Sequence, residues 1–169
     1  MQRPIFMLVS GHARRLDALR HDLSRRYEAD YQVCVASSAA AALTMLAVLA
    51  GARAEVALVI ADEYLADVPA VDFLARAHSL HAGAKRILLI YHGDWSPEHP
   101  AVLAIAVGKI DYHLYAPWYP LERGLYPAMT EFLAAWDRSR EPSFAAFRIV
   151  GPPNSPRTQS ISGSTSRSG

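Results

Sequence analysis

Short apolar runs recur along the first 140 residues, and each has almost no polar residue at alternate positions. A run of this kind is typical of a strand that is buried on both faces of a parallel sheet. Segments with apolar residues three and four positions apart separate the runs, which is the spacing of an amphipathic helix. The predicted strands are residues 4–10, 31–36, 56–61, 85–91 and 112–115.

The predicted helices cover residues 14–27, 38–50, 69–81 and 101–107, and a last one begins at Pro127. Ser37 or Ser38 can cap the second helix, and Pro69 suits the first position of the third. In the second helix we expect Leu43, Leu46 and either Val48 or Leu49 to face inward. The first helix carries five arginines on its mostly outward face, which we interpret as a solvent-exposed surface: Arg14, Arg15, Arg20, Arg25 and Arg26.

Five alternations of strand and helix predict an α/β fold, a doubly wound parallel sheet of the flavodoxin-like (βα)5 type with strand order 2-1-3-4-5. Residues 1–140 would form this domain. Residues 141–150 would form a short extension or strap. Residues 151–169 are rich in Ser, Gly and Pro and are predicted to be disordered.

Composition excludes several classes of protein. Lys and Arg number 17 against 16 Asp and Glu, so charge does not favour a nucleic-acid or membrane partner. Cys34 is the single cysteine, which excludes an internal disulfide, and we expect it to be a small buried side chain. The apolar run near the start is too short for a signal peptide or a membrane span, so the sequence predicts a cytoplasmic protein.

Asp62 ends the central predicted strand, at the edge of the sheet where open α/β folds place their ligands. Residues 10–12 should share this edge. A metal could use His12, Asp62, His92 and Asp94, although rim histidines are more often simply solvated. Ser10, His12 and Asp62 could be drawn as a hydrolytic triad, but no nucleophile elbow accompanies them. No glycine-rich phosphate loop is present, so no cofactor is expected.

Residues 4–140 resemble a receiver domain, the phosphorylatable module of two-component signalling. The segments KRILLIYHGD, DYHLYAPWYP with the following LYP, and FRIVGPPNSPR are similar to the receiver-like module at the front of fused receiver/thioredoxin-reductase-like flavoproteins. The resemblance implies a phosphoacceptor at Asp62. It also implies a Mg²⁺-binding acidic pair, a loop Pro and Gly, a switch Ser or Thr, and a Lys. The matching positions instead hold Ser10, Gly11 and His12 for the acids, Ala66 and Ala70 for the loop, Ile90 for the switch, and Ala116 for the lysine.

This pattern resembles that of a degenerate, or pseudo-, receiver: a signalling module that is not an enzyme and is not switched by phosphorylation of Asp62. Asp62 would then be solvated or cap a nearby loop. One alternative is a response regulator that does use Asp62 as its phosphoacceptor. A second is a regulatory module of a thioredoxin-reductase-like flavoprotein.

An aromatic cluster follows the fifth predicted strand. In receivers the side formed by the fourth helix, fifth strand and fifth helix often binds a partner or a second copy, and Tyr and Trp are favoured at interfaces. We therefore expect a protein partner or a homodimer on this side, unless the rings cover the core. The residues are Tyr112, Tyr115, Trp118, Tyr119 and Tyr126.

Overall fold

The structure, a computed structural model, describes residues 2–91, 99–115 and 121–140. Within these described ranges ten elements alternate, as the hydrophobic pattern predicts. They are β1 (Ile5–Val9), α1 (Ala13–Tyr27), β2 (Gln32–Ala36), α2 (Ala39–Gly51), β3 (Val56–Asp62), α3 (Ala70–Leu80), β4 (Lys85–Ile90), α4 (Pro100–Ala106), β5 (Tyr112–Tyr115) and α5 (Leu125–Arg140).

The five strands form one parallel sheet in the order β2-β1-β3-β4-β5, which confirms the predicted flavodoxin-like topology. Every residue of β1 and β3 is buried, because helices cover both faces of the sheet centre. Val9 at the end of β1 lies beside Ala61 of β3, and Asp62 lies beside Leu89 of β4. The carboxyl ends of the three central strands therefore meet at one edge.

Side chains alternate between two cores. On one face Met7, Val59 and Ile90 pack with α2, α3 and α4; this is the α2–α4 face. On the other, Leu8 and Ile60 pack with α1 and α5; this is the α1/α5 face. Residues two positions apart on a strand point to the same face, so they pack against the same helices.

Side-chain hydrogen bonds to free backbone N–H groups fix the start of α2. Ser38 is the N-cap of α2, and its hydroxyl accepts a hydrogen bond from the Ala41 N–H, as the sequence predicts. The Asp67 carboxylate, in the loop after β3, accepts from the N–H groups of Ala39 (3.1 Å) and Ala40 (2.8 Å). This contact ties the β3–α3 loop to the start of α2.

The sequence leaves one inward position in α2 open between Val48 and Leu49. Leu46 is fully buried and Leu43 packs against the core, but Val48 is 68% exposed and Leu49 takes the inward place. The helix AAAALTMLAVLAG has no charged residue, so its pattern gives no polar face from which to read the inward one.

The predicted extension and tail, residues 141–169, lie outside the described residues. Within the described parts of the chain, no helix is both long enough and apolar enough to cross a bilayer.

Candidate functional site

Asp62 lies at the end of β3 with its side chain only 1% exposed. Leu58 and Ile60 point to the α1/α5 face, and Asp62 continues their alternation. The Ser10 hydroxyl, just after β1, donates to Asp62 Oδ2 at 2.8 Å and accepts from the His12 N–H at 3.1 Å. Asp62 is therefore buried and hydrogen-bonded, so the expectation of a solvated carboxylate is wrong.

Arg15, in the first turn of α1, completes this site. Its Nη1 lies 3.1 Å from Asp62 Oδ2, and its guanidinium carbon lies 3.6 Å from the centre of the Tyr91 ring. The assignment of Arg15 to the solvent-exposed face of α1 is wrong, because α1 begins directly above the edge where β1 and β3 end. From there a long side chain can reach back to a carboxylate on the sheet.

The result is a buried carboxylate with a cation supplied by the chain itself. Both polar partners, Ser10 and Arg15, bind the same oxygen. Asp62 Oδ1 is also buried and has no hydrogen-bond partner among the described residues. A buried charge is stable only when it is paired, so Arg15 is the group that makes an ionised Asp62 tolerable here.

The other predicted site residues are only partly brought together. Gly11 and His12 are exposed at the start of α1, and His12 meets Ser10 through its backbone N–H, which gives no support to a hydrolytic triad. Ile90 is buried in the core of the α2–α4 face, while Tyr91, the next residue, reaches the Asp62 side through Arg15. Ala116, His92 and Asp94 lie outside the described residues.

Neither Arg15 nor Tyr91 was predicted from the sequence as a residue of this site. The side-chain alternation along β4 could have predicted Tyr91, since Ile87 and Leu89 lie four and two positions before it and point to the α1/α5 face. Among the described residues no group of three or more His, Cys, Asp or Glu side chains could hold a metal ion.

Comparison with known structures shows the family to which this fold belongs. No family model matches the sequence, and no curated protein matches it either. The crystal structure of the signal receiver domain of an HD domain-containing protein from Pseudomonas fluorescens Pf-5 is similar, with 31% sequence identity over 83% of this chain and 94% of that chain and a TM-score of 0.65. The chain belongs to the receiver-domain family.

Other receiver structures share the fold at lower identity. A CheY-like response regulator receiver domain from Methanospirillum hungatei JF-1 is 19% identical over 81% of this chain and 98% of that chain, with a TM-score of 0.65. The chemotaxis protein CheY4 of Vibrio cholerae is 18% identical over 78% of this chain and 100% of that chain, with a TM-score of 0.61.

Of the aromatic residues predicted to form one surface of this receiver domain, the three that the structure describes are divided between the two faces of the sheet. The Tyr112 ring packs against Phe132 of α5, with centres 4.3 Å apart. Tyr115 is half-buried on the α2–α4 face. Tyr126 contacts the Tyr27 ring of α1. Trp118 and Tyr119 lie outside the described residues.

Exposed apolar side chains on this side of the sheet come instead from α4. Leu103 is 58% exposed and Val107, just after the helix, is 70% exposed. They are four residues apart and so lie on one face of the helix. The helix PAVLAIA has no charged residue to solvate that face.

Proposed function

We propose that this receiver domain is a non-catalytic signalling module that acts through protein–protein contact and is not switched by phosphorylation of Asp62. The observation that carries the proposal is the Arg15–Asp62–Ser10 contact. In this contact the cation beside the Asp62 carboxylate is the guanidinium of Arg15, which is a permanent part of α1. A bound metal ion, by contrast, could exchange with solvent.

Phosphoryl transfer is catalysed almost entirely by positioning and by charge stabilisation, for which receivers use Mg²⁺. Mg²⁺ requires a nearly octahedral set of oxygen ligands. The positions matched to the acidic pair hold Ser10, Gly11 and His12, none of which is an acid, and the Ser10 hydroxyl already donates to Asp62. A cation at Oδ2 would have to displace the guanidinium of Arg15, and at Oδ1 it would find no second carboxylate from the positions matched to the acidic pair, so these residues fit a Mg²⁺ site poorly.

The surface that supports the interaction role is the exposed face of α4 formed by Leu103 and Val107. Exposed apolar side chains that lie together are a feature of contact surfaces. We propose that this face, together with the β5 and α5 side, contacts a partner protein or a second copy of the chain. A regulatory role toward a thioredoxin-reductase-like flavoprotein stays a prediction that rests on sequence likeness.

The phosphorylation part of the proposal is tested by intact mass after incubation with a small acyl phosphate and Mg²⁺. We expect no mass gain for wild type, Asp62→Asn or Arg15→Met. A phosphoryl-sized gain on wild type that Asp62→Asn abolishes would contradict the proposal and establish the alternative, a phosphoacceptor receiver.

The contact part is tested by light scattering and partner pull-down on Leu103→Ser and Val107→Ser. Val48→Ser is the matched control, since Val48 is equally exposed on α2. We expect assembly to weaken in the α4 variants alone. Equal assembly in all three variants would place the contact surface elsewhere.

A further inference from the structure

A second, partly buried carboxylate lies next to the site, on the opposite face of the sheet edge. Glu63 directly follows Asp62, and its N–H donates to the Leu89 carbonyl at 2.9 Å. Its side chain is 17% exposed, and Oε1 lies 3.7 Å from His99 Nε2. Glu63 Oε2 is buried without a hydrogen-bond partner among the described residues. The Arg15–Asp62 contact makes no use of this group.

Glu63 lines a cavity of about 160 Å³ between the start of α3 and the start of α4. The remaining wall is mostly apolar, with Pro69, Val71, Leu88 and Pro100. An apolar cavity of roughly this size can hold a benzene-sized molecule. The space therefore suits a short hydrocarbon chain with one polar end.

His99 cannot fully satisfy the Glu63 carboxylate. The His99 Nδ1 accepts from the Ala101 N–H at 3.2 Å, which caps α4 and leaves Nε2 as the nitrogen that faces Glu63. The 3.7 Å separation is too long for a hydrogen bond. A buried carboxylate oxygen without a donor is costly, so a ligand that supplies an N–H donor would gain free energy there.

We propose that this cavity is a binding site for a primary alkylamine in its ammonium form. The ammonium group would donate to Glu63 Oε2, and the alkyl chain would lie against Leu88 and the two prolines. A cation is favoured over an anion because Glu63 carries the one carboxylate that lines the cavity, and no lysine or arginine lies among the described lining residues. The amine could be a small molecule or the lysine side chain of a partner protein. This inference is independent of whether Asp62 is phosphorylated.

The test is an amide chemical-shift titration of the full chain with three probes that share four carbons: butylammonium, butanol and butyrate. We expect butylammonium to shift the amides of Glu63, Val71, Leu88 and Ala101, with a dissociation constant on the order of 1 mM. Butanol and butyrate should bind at least tenfold more weakly, because they lack the charge-assisted bond. Stronger binding of butyrate, or equal binding of butanol, would overturn the proposal.

Two variants locate the binding. Glu63→Gln should weaken butylammonium binding about tenfold or more, since it removes the charge but keeps the shape. Glu131→Gln makes the same change of net charge on the exposed surface of α5 and should bind as wild type does. Unchanged affinity in Glu63→Gln, with a native-like amide spectrum, would refute the site. A blocked lysine amide that binds as tightly as butylammonium would assign the site to a protein side chain, and binding of butylammonium alone would assign it to a small amine.

Discussion

Replacement of Arg15 by Met tests whether the guanidinium is needed to hold a charge at Asp62. The carboxylate is 1% exposed, whereas Arg15 is 32% exposed. Solvent screens the arginine end of the pair, so Arg15 itself loses little. The cost arises at the buried end, where Asp62 keeps only its bond from Ser10.

The expected loss can be worked out from the contacts. A hydrogen bond to a charged group contributes about 1.5–3 kcal/mol, and a partly exposed cation–π contact such as Arg15 on Tyr91 contributes about 0.5–1 kcal/mol. Met keeps some of the packing against the ring. We therefore expect Arg15→Met to lower the free energy of unfolding by about 2–4 kcal/mol at neutral pH.

Urea unfolding followed by circular dichroism measures this change. Arg14→Met is the matched control, because Arg14 is the exposed neighbour on the same helix, and its effect should stay within about 0.5 kcal/mol. The double variant Arg15→Met/Asp62→Asn should recover most of the loss, since it removes the unpaired charge. Equal stabilities of the Arg14 and Arg15 variants, or no recovery in the double variant, would refute the assignment of Arg15 as the counter-ion.

Three further predictions concern groups outside this site. Arg86 is buried on β4 and binds both carboxylate oxygens of Asp111, at 2.9 and 3.2 Å. Asp111→Ala should therefore lower the free energy of unfolding in urea by about 2–4 kcal/mol, because it leaves the buried guanidinium without its partner. A loss under about 1 kcal/mol would contradict this. The N–H donors of α2 lower the pKa of Asp67 from 3.8, so this stabilisation is present above pH 3.8 and is lost as pH falls through the lower folded value. Acid unfolding of Asp67→Asn should lack that component, and an unchanged profile would refute it. Burial, and then the charge of His99, lowers the pKa of His113 from 6.5, so stability should fall as pH drops below 6.5. His113→Gln should therefore flatten the thermal stability profile between pH 5 and 7, and coincident profiles of the variant and wild type would refute this prediction.

The hydrophobic pattern by itself determined the order, type and approximate bounds of all ten elements. Strands buried on both faces have a continuous apolar run, and the intervening segments have a helical period, so burial is recorded locally in the sequence. Where a helix has no charged position, the pattern leaves its inward face partly undecided. In α2 every position is uncharged, and the exposed Val48 was one of two inward candidates.

The sequence also predicted that Ser10 and Asp62 share one edge of the sheet, because parallel strands end together there. Only the tertiary structure decided what Asp62 contacts. Arg15 looks like one of five solvent-exposed arginines, and its role depends on how α1 crosses the sheet edge. Likewise, Tyr91 lies on the same face of the sheet as Asp62, whereas Ile90 points to the opposite face. Periodicity encodes burial along one element, whereas the pairing of charges depends on the distance between elements that are far apart in the chain.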